Sequence, residues 1–146
     1  MLVALLLLTG CQSGEVNNNE SVDATEKKIH IGMSFDSFVI ERWQKDRDIF
    51  VSLAKDMGAE VNVQNANGDI NEQIKQIEYF IEKGMDAIVI VCIDSDSLSE
   101  VVKKAKDAGI KVVAYDRLIH NSDVDLYVSF DNYEVGKLMG EALVLI

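Results

Sequence analysis

The 146-residue chain has no proline and a single tryptophan, and its 14 lysines and arginines are outnumbered by 25 aspartates and glutamates. Each shortage excludes something. Without proline, prolyl isomerisation cannot add a slow phase to folding. A net charge of -11 is the wrong balance for nucleic acid, which requires clustered basic groups. Several chemistries are also missing. Gly32-Met33-Ser34-Phe35-Asp36 lacks the glycine pattern that lets a pyrophosphate approach the backbone, and there is no Walker A loop, H-E-x-x-H or nucleophile elbow. His30 and His120 are isolated, and Asp94-Ser95-Asp96-Ser97 lacks the glycine and glutamate of a calcium loop. No cofactor, metal or enzymatic acid–base pair is expected.

Long apolar runs are scarce too. Leu2 to Leu8 is too short to cross a bilayer as a permanent helix. It leads into Leu8-Thr9-Gly10-Cys11, which resembles the lipobox of a bacterial lipoprotein signal, with Cys11 as the lipid-attachment residue. Residues 1–11 are therefore expected to be a lipoprotein signal segment. Residues 12–27, rich in Asn, Glu, Ser, Asp and Gly, are expected to be a disordered tether, and 28–146 the folded part. An extracytoplasmic protein held at the bacterial membrane through acyl chains follows from that reading.

The remainder is globular by composition, 48% hydrophobic and 27% charged. From Lys28, strands alternate with helices. Ile29, Ile31 and Met33 start the first strand, and Phe50, Leu53, Ala54 and Met57 share a helix face. Ala59 to Val63 is a second strand, and Asp69 with Glu72 caps a helix whose stripe is Ile70, Ile74, Ile77 and Ile81. Met85 to Ile93 reads as a strand covered on both faces, with Cys92 as a small buried thiol. Ser97 and Glu100 are expected to cap the next helix, which turns Leu98, Val101, Val102 and Ala105 inward. Strands at Ile110 to Tyr115 and Leu126 to Phe130 follow, then a helix opened by Asp131 and Glu134. Gly58, Gly84 and Gly109 each end a helix, about one βα unit apart. The pattern predicts an α/β fold, a doubly wound parallel sheet.

In such sheets ligands bind beyond the carboxyl ends of the strands. Two clusters fall there: Glu41-Arg42-Trp43-Gln44-Lys45-Asp46-Arg47-Asp48 after the first strand, and Tyr115-Asp116-Arg117 after the fourth. A flat apolar ring suits the C–H face of a sugar, while arginine and aspartate donate to and accept from hydroxyls. Plainer readings exist for each. A tryptophan early in a helix commonly packs into the core, Arg42 can be a surface charge, and Asp116-Arg117 can be a weak local pair.

ERWQKDRD at Glu41 to Asp48, together with Val63 to Gly68, Gly109 to Arg117 and Val128 to Asn132, closely resembles the D-xylose-binding proteins, bacterial solute receptors of the type I periplasmic-binding-protein fold. The resemblance spans about residues 28 to 143. It implies two similar lobes closing on a sugar across a hinge, with this chain as the amino-terminal lobe of a truncated protein and the second lobe missing. It also implies that Trp43 stacks on D-xylose or a related monosaccharide, and that Arg42, Asp116 and Arg117 hydrogen-bond it. Partners would be an ABC sugar permease or, alternatively, the extracellular domain of a sensor histidine kinase, with no nucleic acid involved. A non-transport interaction module made of a single lobe is a weaker alternative.

Overall fold

The computed structural model of the chain describes residues 27–145; Cys11, the signal segment and all but the last residue of the 12–27 tether lie outside it. The sheet runs through β1 (His30–Phe35), β2 (Glu60–Asn65), β3 (Ala87–Ile90), β4 (Lys111–Tyr115) and β5 (Leu126–Val128). Helices α1 (Glu41–Asp56), α2 (Ile70–Glu82), α3 (Ser99–Asp107) and α4 (Asn132–Val144) alternate with them. All neighbouring strands are parallel, in the order β2-β1-β3-β4-β5. The chain leaves β1 toward one edge and returns to build the other, so the crevice where a doubly wound sheet takes ligands opens between β1 and β3.

The period of two in β3 sorts the core into layers. Ile88 and Ile90 face α2 and α3, joining Ile77, Phe80, Leu98, Val101, Val102, Ala105 and Val112. Val89 and Val91 face the other way, with Met33, Phe35 and Trp43. Asp69 caps α2 by accepting from the N–H groups of Asn71 and Glu72, and Asp131 caps α4 through the Glu134 N–H, as the sequence pattern predicts. Gly58, Gly84 and Gly109 take the left-handed conformation, with φ of 82°, 64° and 79°.

Three expectations are corrected. The cap of α3 is not Ser97: Asp94 accepts from both the N–H and hydroxyl of Ser97, so the Asp-Ser-Asp-Ser loop folds on itself, and α3 starts at Ser99. The third strand ends at Ile90 rather than Ile93. Beyond it the buried Gln73 side chain donates to the Val91 carbonyl and accepts from the Ile93 N–H, replacing part of the ladder. On α1, Ala54 is buried, but Leu53 and Met57 are exposed. At about 100° per residue, Trp43, Phe50 and Ala54 align on one face, Leu53 lies on its flank, and Met57 is already the C-cap.

β4 is tied to the strand that follows by a carboxylate. Asp125 accepts from the Val112 N–H and pairs with Lys106 at 2.6 Å and Lys111 at 3.1 Å. The Lys106 contact, then the Val112 N–H and the Lys111 contact, hold its carboxyl far below the usual carboxylate range. A depressed folded pKa stabilises the fold above the unfolded value of about 4, and the gain is lost as pH falls below it. Asp125→Asn is expected to lower stability by about 1–2 kcal/mol at pH 7, with wild type and variant converging toward pH 2 in urea unfolding. A constant difference across that range would remove the charge-based account.

Candidate functional site

Both sequence clusters arrive at the carboxyl edge of the sheet, and the structure joins them. Arg42, on the first turn of α1, pairs through Nη2 with Asp116 Oδ1 at 2.5 Å, although 74 residues separate them. Asp116 follows β4 with φ of 66°, in the left-handed region where aspartate is tolerated better than most residues. Its backbone is held there. The N–H donates to the Val128 carbonyl, and its own carbonyl accepts from the hydroxyls of Ser129 and Tyr127. The carboxylate is thereby aimed across the strand ends at α1.

Arg117 is fixed from two further strands. Its Nη1 donates to Asp36 Oδ2 at 2.8 Å, at the end of β1, and to the Cys92 carbonyl at 2.7 Å, just beyond β3. Within the described residues its hydrogen bonds all run through Nη1, so Nε and Nη2 remain as donors on a half-buried side chain. Asp36 is buried (8% exposed) and also accepts from the Ser37 N–H. The sequence pattern did not single it out. A carboxylate directly after a strand in this fold was the available signal. The Cys92 carbonyl, being backbone, had none.

Trp43 lies where the sequence places it along the chain, but in the core. Only 1% of its surface is exposed, and it packs against Phe35 and Tyr115 at ring separations of 6.4 and 6.1 Å. The Arg42 guanidinium covers the ring at 4.0 Å from its centre, and the Arg117 guanidinium carbon is 6.0 Å away. Among the described residues, the indole Nε1 is the one buried side-chain polar atom without a hydrogen-bond partner. Stacking on Trp43 thus requires Arg42 to move.

Beneath the pair, Tyr115 donates to Asp46 at 2.7 Å, one turn along α1 from Arg42. Burial, then the hydrogen bond and charge of Asp46, push its phenol up to about 12. A raised pKa stabilises the fold below the ordinary value of about 10, and this is lost as pH rises toward 12. Ultraviolet titration is expected to show one phenol ionising near pH 12. Asp46→Asn should bring it part of the way back, since burial remains. An unchanged curve in the variant would remove Asp46 from the explanation.

A groove of about 810 Å³ lies at the opposite sheet edge, by Lys28, His30, Lys55, Glu60 and Met85. An apolar one of about 500 Å³ lies beside α1, lined by Ile49, Leu53, Val113, Leu126 and Val128. Neither holds the arginine–aspartate pairs, and the first lies at the amino ends of the strands, where this architecture does not place ligands. Among the described residues, no group of three or more His, Cys, Asp or Glu could hold a metal ion, and no helix is long and apolar enough to cross a membrane.

Residues 31–145 match the family described as the periplasmic binding protein domain. The chain is 50% identical over 144 residues to the D-xylose-binding periplasmic protein of Escherichia coli (strain K12), covering 99% of this chain and 43% of that protein. It is 53% identical over 126 residues to the protein of the same name in Haemophilus influenzae, covering 86% of this chain and 38% of that protein. Among solved structures, an ABC transporter solute binding protein from Clostridium phytofermentans with bound β-D-glucose superposes with a TM-score of 0.74 at 43% identity, covering 77% of this chain and 35% of that one. The chain spans less than half the length of these relatives.

Proposed function

We propose, from the premise that the chain belongs to the periplasmic binding protein domain family, that it recognises D-xylose or a closely related monosaccharide as one lobe of an extracytoplasmic receptor. One observation carries the reading: each arginine at the strand ends is already matched by an aspartate, Arg42 by Asp116 and Arg117 by Asp36. The two pairs cancel in charge. Such a surface has no excess positive charge for a phosphate or carboxylate, yet keeps directed donors and acceptors for an uncharged polyol. The relatives named for D-xylose support the choice of sugar.

Binding rather than catalysis is the function we assign. Sugar would be captured by closure against a second lobe and passed to an ABC permease. A 26%-identical structure, the fructose binding periplasmic domain of a hybrid two component system (TM-score 0.69), supports a sensor histidine kinase as the second candidate partner. Cys11 would tether the receptor to the membrane.

The test is a fluorescence titration, in which Trp43 is the only tryptophan. D-Xylose is expected to give a saturable change that L-arabinose, D-ribose and D-glucose give only at higher concentration. No response to any of the four, in protein with a folded far-UV spectrum and with calorimetry equally silent, would contradict the reading.

A further inference from the structure

Phe130 belongs to neither sequence cluster. It lies between β5 and α4 and is 52% exposed. Its ring centre is 4.9 Å from the same Arg42 guanidinium carbon that lies 4.0 Å from the centre of Trp43. The aromatic contacts of Trp43 run to Phe35 and Tyr115, not to Phe130, so the guanidinium joins the two rings. A guanidinium is flat, with weakly hydrated faces that stack on π-systems. The C–H face of a pyranose has a similar shape and the same preference for an aromatic ring.

We propose that Phe130 is a further sugar-binding residue, forming with Trp43 an aromatic slot that Arg42 occupies until sugar displaces it. The inference rests on the sugar-binding reading above. Three features fit a residue built to yield its place. Arg42 is 39% exposed, so water and salt weaken its pair with Asp116. Its second carboxylate, Asp46, stands at 3.8 Å from Nε, along α1 and off the slot, ready to hold the side chain once it leaves Asp116. Among the described residues the buried indole N–H has no hydrogen-bond partner, so the ring is held by packing and by the covering guanidinium alone. Displacement also releases Asp116 to accept from the sugar.

Acrylamide quenching of Trp43 tests the slot without sugar. The wild-type chain should be almost unquenched, and Arg42→Ala should raise the quenching constant several-fold with an unchanged far-UV spectrum. By calorimetry, with Arg42 in place, Phe130→Ala should weaken D-xylose binding about 10-fold, while Phe130→Tyr, which keeps the ring, should bind as wild type does. Failure of Arg42→Ala to expose the ring overturns the slot, whatever xylose does. Exposure with D-xylose affinity unchanged in Phe130→Ala overturns the role of Phe130 and leaves the sugar-binding reading intact. Exposure with no xylose binding by calorimetry in any form, wild type included, overturns both as statements about sugar.

Discussion

Gly32→Ala is expected to be the most damaging single-atom-scale change in the lobe. A Cβ on Gly32 would sit 2.5 Å from Cγ and Cδ2 of Phe80 and 2.9 Å from its Cδ1. Real side chains do not approach so closely, and turning the ring about χ2 leaves Cγ where it is. Phe80 has nowhere to go, being fully buried against the sheet among Ile77, Ile88 and Val101. Either β1 or α2 must shift, and β1 is an interior strand, hydrogen-bonded to β2 and β3 on either side. Overpacking of this kind costs about 3 kcal/mol or more, which corresponds to a fall in Tm of roughly 10–20 °C for a domain of this size. Thermal unfolding followed by circular dichroism measures it. Gly32→Ala/Phe80→Leu should recover part of the loss. A single variant melting within about 3 °C of wild type would show that the packing is looser than this account requires.

Arg117→Ala is expected to have the largest effect on sugar recognition. Arg117 is the best-anchored donor at the site, its direction fixed by Asp36 and the Cys92 carbonyl, and it offers two remaining nitrogens. Hydrogen bonds involving a charged group contribute about 1.5–3 kcal/mol, so its loss should weaken D-xylose binding about 10- to 100-fold. Arg117→Lys keeps the charge but not the fork, and should fall between. Both variants also leave Asp36 without its guanidinium, so a modest loss of stability accompanies the loss of affinity. Calorimetric titration beside a urea curve separates the two effects. Unchanged affinity in folded Arg117→Ala would exclude the residue from the site.

The parallel sheet was legible because its signals are local. Strand periodicity, the Asp69 and Asp131 caps and the three left-handed glycines each act over a few residues, and together they leave few topologies open. Placement of Arg42, Trp43, Asp116 and Arg117 at one edge followed from the same logic. What was not legible was which group touches which. The Arg42–Asp116 pair depends on a left-handed aspartate held by Val128, Tyr127 and Ser129. The burial of Trp43 depends on the same arrangement, because Arg42 covers its face. Sequence spacing alone left core packing and sugar stacking open for this ring, and the structure shows it packed in the core beneath Arg42 at the ligand edge. Trp43→Ala is accordingly expected to reduce both stability and affinity, since truncating a buried aromatic costs about 3–5 kcal/mol.

Leu53 shows the limit of periodicity from the other side. It fits an apolar stripe, yet lies exposed beside the groove between α1 and the sheet, while none of the residues of α4 is buried. A helical repeat marks a face as apolar; it does not say what will cover it.

In the proposed function, sugar binds at the carboxyl edge of the sheet, over Arg42, Trp43, Asp116 and Arg117. The most direct measurement is an amide and indole nuclear magnetic resonance titration of the isotope-labelled chain with D-xylose. Perturbations are expected to concentrate at Asp36, Arg42, Asp116, Arg117 and Phe130, with a displaced indole N–H signal from Trp43. Perturbations centred instead on Lys28, His30, Lys55 and Glu60 at the opposite edge would contradict it.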